Sequence, residues 1–250
     1  MKGKAKELTI IIPVFNEEEG ISRIIPAFES YVALSKFEVN ILLVNDGSTD
    51  NSLTEIKKVK AFYEHVAFIS FAKNAGLSAA IRAGFEAAST EWVGYIDADL
   101  QTDPNDFLKL EEFVPEYDLV TGRREGRKDS MVKKISSTIA NWFRDSMLHD
   151  GVHDSGCPLK ILNREMALNM PFFKGVHRFF PALTLVQGKK IMEIPVSHFP
   201  RITGKSKFNV WNRLLSPLQD TIAVRWLGKR QSGYTIAENS ILKKHPELNE

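Results

Sequence analysis

The sequence predicts an α/β domain built on a doubly wound, mainly parallel β-sheet with helices on both faces. Two patterns support this fold class. Short apolar runs rich in β-branched residues alternate with stretches in which apolar residues recur at helical spacing, up to about residue 120. Polar turns separate the two kinds of segment, as in the βαβ units of parallel sheets.

The predicted elements follow one another in a regular order. Strands are expected at residues 8–15, 39–44, 66–71 and 92–96, with helices at 20–34, 52–63 and 74–89. Beyond residue 104 the pattern is looser, with helices expected at 106–113 and 133–148 and strands at 119–122 and 191–199. No internal repeat or low-complexity linker divides the chain, so one domain is the simplest interpretation.

The composition is that of an ordinary globular protein. Of 250 residues, 43% are hydrophobic and 26% are charged, and the net charge of +2 favours no particular partner. The single cysteine, Cys157, excludes an internal disulfide and fits a reducing compartment. The chain shows no signal-peptide pattern and no window near the ~18 apolar residues of a membrane span, so we expect a cytoplasmic or membrane-peripheral protein.

Polar residues follow the ends of the first four predicted strands. They are Asn16 and Glu17 after the first strand, Asp46 after the second, Asn74 after the third, and Asp97 and Asp99 after the fourth. In open parallel sheets, ligands bind in the crevice outside the carboxyl ends of the strands. We therefore expect these side chains to line one crevice.

Asp97 and Asp99 form the strongest candidate metal site. Two carboxylates separated by one residue beyond a buried strand can point into the same crevice, and Gln101 follows closely. Hard oxygen ligands suit Mg²⁺ or Mn²⁺, which bind few protein groups together with substrate phosphates. The motif is a weak signal by itself, and the alternative is that Asp97 caps a turn while Asp99 is solvated.

Four segments in combination resemble the inverting glycosyltransferases of family 2, which have the GT-A fold. They are Pro13-Val14-Phe15-Asn16-Glu17, Asn45-Asp46-Gly47-Ser48, Asn74-Ala75-Gly76 and Asp97-Ala98-Asp99-Leu100-Gln101, and the likeness extends over residues 8–209. The resemblance implies that Pro13, Val14, Glu17 and Asp46 hold the nucleotide. It also implies that Asp97, Asp99 and Gln101 hold the metal and that both aspartates take part in catalysis. Asn45 stands where many members have Asp, so it receives no catalytic role.

Further motifs resemble the polyprenyl-phosphate branch of this family, which includes dolichol-phosphate mannosyltransferases. They are Thr121-Gly122-Arg123, Ala140-Asn141, Asp154-Ser155-Gly156-Cys157 and Arg201-Ile202-Thr203-Gly204-Lys205-Ser206-Lys207. By this resemblance Arg123, Arg201 and Lys207 clamp phosphates, Lys205 and Ser206 lie in a loop over the diphosphate, and Lys133 and Ser137 receive the lipid phosphate. Members commonly have Arg in place of Lys133, and lysine lacks the bidentate fork.

The resemblance implies inverting transfer of a sugar from a UDP- or GDP-sugar to a polyprenyl phosphate, using Mg²⁺ or Mn²⁺. A phosphate monoester, with a second pKa of roughly 6, is already anionic near neutral pH and needs no general base. A sugar hydroxyl would instead need a base such as Asp154. A transferase that extends a saccharide or lipopolysaccharide is the closest alternative, and a degenerate nucleotide-binding scaffold is the non-enzymatic one. Nucleic-acid binding has no support.

The expected domain covers residues 1–230, followed by a polar tail at 231–250. Its parts are a nucleotide-sugar half at 8–120, an acceptor half at 121–210 and an amphipathic helix at 211–230. The apolar residues of the helix are Trp211, Leu214, Leu215, Leu218, Ile222 and Trp226, with basic residues nearby. Such a helix suits peripheral contact with the cytoplasmic face of an anionic membrane. Packing on the sheet or in a homo-oligomer is the equal alternative.

Overall fold

The computed structural model describes residues 6–125, 143–200 and 215–230, and within these ranges seven strands form one sheet. The strands are β1 (Glu7–Val14), β2 (Glu38–Asn45), β3 (Val66–Ser70), β4 (Trp92–Tyr95), β5 (Leu119–Arg124), β6 (Lys160–Asn163) and β7 (Ile191–Val196). Their order across the sheet is β3-β2-β1-β4-β6-β5-β7. Neighbouring strands are parallel except where β6 pairs with β4 and β5.

Helices cover both faces of this sheet. They are α1 (Ile21–Leu34), α2 (Ser52–Phe62), α3 (Leu77–Ala87), α4 (Phe107–Glu111), α5 (described at 143–148), α6 (Arg164–Leu168), α7 (Phe180–Val186) and α8 (Leu215–Arg230). Buried side chains of α1, α2 and α4 pack on one face, and those of α3, α6, α7 and α8 pack on the other. The doubly wound α/β architecture is therefore confirmed.

Alternating side chains of the central strands supply the two cores. In β1, Leu8, Ile10 and Ile12 join the core beneath α1, whereas Ile11 joins the core beneath α3. All four are fully buried. Burial of an aliphatic side chain contributes about 1.5–3 kcal/mol, so burial on both faces anchors this strand strongly. It also explains why the sequence of β1 is a continuous apolar run and not an alternating one.

Most predicted elements are present within a few residues of their expected bounds. The strands predicted at 119–122 and 191–199 are β5 and β7, and the helix predicted at 106–113 is α4 preceded by a 3-10 turn at Pro104–Asp106. β6, α6 and α7 were not predicted from the sequence. β6 has four residues and begins with a lysine, and α6 and α7 have five and seven residues, so none is long enough to display a periodic pattern.

The apolar side chains of α8 do not all lie on one face of the helix, as a simple amphipathic pattern would require. Val224 is buried against α7, whereas Ile222 is 55% exposed and Trp226 is 61% exposed. Apolar side chains therefore point both inward and outward. Trp211 and Leu214 lie outside the described residues. Within the part of the chain that the structure describes, no helix has the length and apolar character needed to cross a membrane.

Candidate active site

Hydrogen bonds join the loops that follow β1 and β2. Asn16 has a positive φ of 51°, and its backbone N–H donates to Ser48 Oγ over 3.0 Å. The Thr49 N–H donates to Asn16 Oδ1 over 2.8 Å, and the Glu17 N–H donates to Ser52 Oγ over 2.9 Å. Asn tolerates the left-handed region better than most residues, so it suits this sharp turn. Glu17 is thereby held at the carboxyl edge of the sheet beside the end of β2.

Asp46 joins the end of β2 to the loop that follows β3. Its carboxylate accepts hydrogen bonds from Asn74 Nδ2 over 2.8 Å, from the Ala75 N–H over 2.7 Å and from the Gly76 N–H over 2.9 Å. Asp46 is only 3% exposed. Its side chain therefore fixes the shape of this loop, and direct nucleotide binding by Asp46 stays a prediction.

The same two loops approach each other closely at Gly47. Gly47 has a φ of +62°, and a Cβ at this position would lie 2.3 Å from the carbonyl carbon of Lys73. Both observations require glycine. The neighbouring Asn45 is 2% exposed, and its Nδ2 donates to Ser70 Oγ over 2.9 Å. Asn45 thus links the ends of β2 and β3.

Asp97 and Asp99 lie together on the segment that leaves β4. The Tyr95 hydroxyl donates to Asp97 Oδ1 over 2.6 Å, and the Gln101 N–H donates to Asp99 Oδ1 over 3.2 Å. Ala98, between the two aspartates, is 7% exposed and packs into the core. Because successive side chains of this segment point in opposite directions, Ala98 points inward and both aspartates stay partly exposed. Two ligands of one metal ion must be accessible in this way.

The electrostatics of this pair fit a divalent cation. Burial and the charge of Asp99 raise the pKa of Asp97 to about 6, against the opposing effects of Tyr95, Arg124 and Lys160. A cation between the two carboxylates would offset the part of this shift that comes from the charge of Asp99. In the described ranges, no group of three or more His, Cys, Asp or Glu side chains forms a metal site. Asp97 and Asp99 supply two carboxylate donors, and few protein ligands of this kind suit Mg²⁺ or Mn²⁺ bound jointly with a diphosphate.

Gln101 connects this motif to the segment that follows β7. The Phe199 N–H donates to the Gln101 carbonyl over 2.8 Å, and Gln101 Nε2 contacts the Phe199 carbonyl over 3.4 Å. The contact places Phe199, at the end of the described segment after β7, next to the Asp97-Asp99 motif. The predicted loop residues Arg201, Lys205, Ser206 and Lys207 lie outside the described residues, as do Lys133 and Ser137.

Arg124, which the sequence analysis missed, holds Asp154. Its Nε donates to Asp154 Oδ2 over 2.8 Å and its Nη2 donates to Oδ1 over 2.9 Å. The Asp154 N–H donates to Glu193 Oε1 over 2.8 Å. Arg123, the predicted phosphate ligand, instead has a side chain 42% exposed and pairs loosely with Glu125 at 3.4 Å. Because both carboxylate oxygens of Asp154 are engaged, the arrangement disfavours this residue as a general base.

Lys160 is a second cation that the sequence analysis missed. It is fully buried, and its Nζ donates to Thr121 Oγ1 over 3.0 Å, to the Ser155 carbonyl over 3.3 Å and to the Cys157 carbonyl. Burial lowers the pKa of Lys160. A lysine within the apolar run of β6 was the signal that could have found it, because buried charges require partners.

The first predicted motif lies at the end of β1. Pro13 pairs with Val44 of β2 and is partly exposed. Val14 has no exposed surface, and its carbonyl accepts a hydrogen bond from the Asp46 N–H over 2.8 Å. The side chain of Val14 is therefore part of the core beneath the site and is not available to a nucleotide. Roles for Pro13 and Glu17 in nucleotide binding stay predictions.

Comparison with known proteins assigns the family. The family described as glycosyl transferase family 2 matches residues 9–180, more than half of the chain. The protein belongs to glycosyl transferase family 2. This family 2 member is 31% identical over 225 residues to dodecaprenyl-phosphate galacturonate synthase of Rhizobium johnstonii. The match covers 87% of this chain and 66% of the relative, so the chain spans slightly less than two thirds of that protein.

Solved structures share the fold of this family 2 member. Glucosyl-3-phosphoglycerate synthase of Mycobacterium tuberculosis, in complex with Mn²⁺, UDP-glucose and phosphoglyceric acid, matches with a TM-score of 0.64 and 17% identity, covering 89% of this chain and 79% of that one. Mannosyl-3-phosphoglycerate synthase of Rubrobacter xylanophilus matches with a TM-score of 0.62 and 16% identity, covering 94% and 79%. These likenesses confirm the GT-A fold.

Proposed function

We propose that this protein is a metal-dependent, inverting glycosyltransferase that moves a sugar from a UDP- or GDP-sugar to a polyprenyl phosphate. The observation that carries the proposal is the closeness of an acidic cluster and a largely buried arginine at the carboxyl edge of the sheet. Asp97 and Asp99 form the acidic cluster. Arg124, paired with Asp154, is close enough to lower the pKa of Asp97.

The donor would bind over the loops after β1, β2 and β3. Pro13 and Glu17 stand at the end of β1, and Asp46 fixes the loop in front of Gly76. Asp97 and Asp99 would hold Mg²⁺ or Mn²⁺, with Gln101 beside them. When bound, the ion neutralises the charge that develops on the departing nucleoside diphosphate.

The arrangement around Asp154 favours a phosphate acceptor over a sugar hydroxyl. A hydroxyl nucleophile needs a base, and the carboxylate of Asp154 is already bound by Arg124. A phosphate oxygen needs only positive charge and alignment with the anomeric carbon. Arg123, Lys133 and Ser137 would supply that binding. The relative from Rhizobium johnstonii, whose name gives a dodecaprenyl-phosphate product, supports the same choice.

A lipid acceptor requires contact with a membrane, and α8 offers a surface for it. Ile222 and Trp226 are exposed large apolar side chains, and Arg225, Lys229 and Arg230 lie near them on the same helix. The Arg230 guanidinium lies 5.9 Å from the centre of the Trp226 ring. Tryptophan with flanking cations is typical of helices that bind anionic membrane surfaces. We include peripheral membrane binding through α8 in the proposal.

The test is transfer of labelled sugar into a lipid-extractable product. Purified protein, Mn²⁺ and undecaprenyl or dolichyl phosphate are incubated with a panel of UDP- and GDP-linked hexoses and uronic acids. We expect one donor to label the lipid, and we expect Asp99→Ala to abolish the product. If the protein consumes a donor yet labels only an added saccharide, the acceptor is a glycan hydroxyl and the lipid proposal is wrong. If no donor is consumed with any acceptor, the scaffold alternative stands.

A further inference from the structure

A row of polar residues crosses the sheet beneath the two aspartates. Tyr95 of β4 pairs with Lys160 of β6, Lys160 pairs with Thr121 of β5, and Thr121 pairs with Glu193 of β7. Residues that pair directly across strands project from the same face of a sheet. Lys160 contacts Thr121 along this row, and Glu193 contacts the backbone of Asp154. The row therefore supports the acceptor side of the site, and Tyr95 is its member nearest the metal motif.

Tyr95 makes one directed contact with the metal motif. Its side chain is buried, with 2% of the residue exposed, and its hydroxyl donates to Asp97 Oδ1 over 2.6 Å. Within the described part of the chain, no other side chain donates to the Asp97 carboxylate. The bond fixes the rotation of that carboxylate and leaves Oδ2 for another ligand.

We propose that Tyr95 is a positioning residue whose hydroxyl holds the Asp97 carboxylate in the orientation that binds the divalent ion. The inference rests on the proposed function, because it takes Asp97 as a metal ligand. Tyr95 itself contacts neither the ion nor the substrate. Hydrogen-bond partners of metal-binding carboxylates commonly change metal affinity about 10–100-fold when they are removed.

A second tyrosine of this protein provides a matched control. The Tyr31 hydroxyl donates to Glu111 Oε1 over the same distance, 2.6 Å, and Tyr31 is also fully buried. This bond joins α1 to the end of α4, on the face of the sheet opposite the core that contains Tyr95. Tyr31→Phe and Tyr95→Phe therefore each remove one buried hydroxyl from a carboxylate, and only Tyr95→Phe alters the metal motif.

The experiment measures Mn²⁺ binding by electron paramagnetic resonance, with UDP or GDP present. Wild type, Tyr95→Phe, Tyr31→Phe and Asp99→Asn are titrated under the same conditions. We expect Tyr95→Phe to raise the Kd for Mn²⁺ by about 10-fold or more, whereas Tyr31→Phe leaves it unchanged. We also expect saturating Mn²⁺ to restore turnover of Tyr95→Phe, which simple loss of folded protein would not allow.

The outcomes separate this inference from the function on which it rests. If wild type binds Mn²⁺ and Asp99→Asn weakens the binding, the metal site stands; an unchanged Kd in Tyr95→Phe then overturns the role of Tyr95 alone. Equal weakening by Tyr31→Phe also overturns it, since the effect would reflect general destabilisation. If wild type binds no Mn²⁺ with either nucleotide, the metal site itself is wrong and the inference falls with it.

Discussion

Arg124 and Asp154 form a charge pair with little water around it. Their side chains are 17% and 11% exposed and share two parallel hydrogen bonds. Removal of one partner leaves the other charge buried and unpaired, which typically costs about 3–5 kcal/mol. We expect Arg124→Met to lower the free energy of unfolding, measured by urea denaturation, by an amount of this order.

A more exposed ion pair, Lys189 with Asp118, serves as the control. Lys189 and Asp118 lie 3.6 Å apart with side chains 48% and 26% exposed. Water screens such a pair, so Lys189→Met should change the free energy of unfolding by less than about 1 kcal/mol. The double variant Arg124→Met with Asp154→Leu should recover part of the stability lost in Arg124→Met. A double variant less stable than Arg124→Met would show that charge burial is not the cause.

Substitution of Asp99 should lower enzymatic activity without lowering the stability of the fold. Asp99→Asn keeps the shape of the side chain and its bond to the Gln101 N–H but removes the negative charge that we propose binds the metal ion. We expect kcat/KM for the donor to fall on the order of 100-fold or more, without a change in the urea midpoint. Asp103→Asn is the control, because Asp103 caps a nearby 3-10 turn and Asn is an equally good cap. Similar activity losses in both variants would argue against a metal role for Asp99.

His177 makes stability depend on pH. Burial, with smaller effects of Arg178 and Lys160, lowers the pKa of His177 from 6.5 to about 3. The unfolded chain therefore binds more protons than the folded protein between these values, and stability is lost as pH falls from 6.5 toward 3. We expect the wild type to lose at most about 1.4 kcal/mol per pH unit more than His177→Asn in this window. Above pH 7 the difference between the two proteins should stay constant; parallel curves below pH 6 would contradict the assignment.

At the scale of elements, the loops after β2 and β3 depend on one another through Gly47. Gly47→Ala places a methyl group against the Lys73 backbone and forces alanine into a positive φ. Gly188 also has a positive φ, of +70°, but a Cβ there meets nothing within 4 Å, so Gly188→Ala isolates the conformational cost of about 1–2 kcal/mol. We expect Gly47→Ala to be more destabilising than Gly188→Ala in urea and to weaken nucleotide binding. Equal effects would mean that the loop contact at Gly47 is not essential.

The sequence predicted the first half of the fold better than the half after β5. β1, β2 and β4 are largely buried on both faces and therefore appear as apolar runs that end at polar turns, whereas β3 lies at the edge of the sheet and is only partly buried. β6 has only four residues and begins with a buried lysine. It therefore lacks the run of apolar residues by which a buried strand is predicted. Arg123 and Arg124 adjoin on β5, and only the structure distinguishes the one that binds Asp154. The hydroxyl contact of Tyr95 with Asp97 is likewise a matter of geometry, which no motif records.

At the scale of the whole molecule, the two faces of the sheet carry different exposed apolar residues. Ile222 and Trp226 lie on α8, whereas Leu34 and Phe62 lie on α1 and α2 on the opposite face and are 67% and 83% exposed. If α8 binds the membrane, Trp226→Ala should reduce cosedimentation with vesicles that contain anionic lipid, and Phe62→Ala should not. Added salt should weaken binding, because the charges of the exposed Lys229 and Arg230 are screened. Equal loss in both variants would indicate nonspecific adsorption.

The antiparallel strand β6 lies between β4 and β5 and is synthesised after both. Two fragments divided near residue 125 would therefore leave β4 with an open edge and β5 without either of its partner strands. Such edges promote aggregation. On the ribosome, β4 keeps an open edge until Asn163 at the end of β6 has emerged, and the sheet is complete only after Val196 of β7. We therefore expect the nascent chain to be prone to aggregation over this interval.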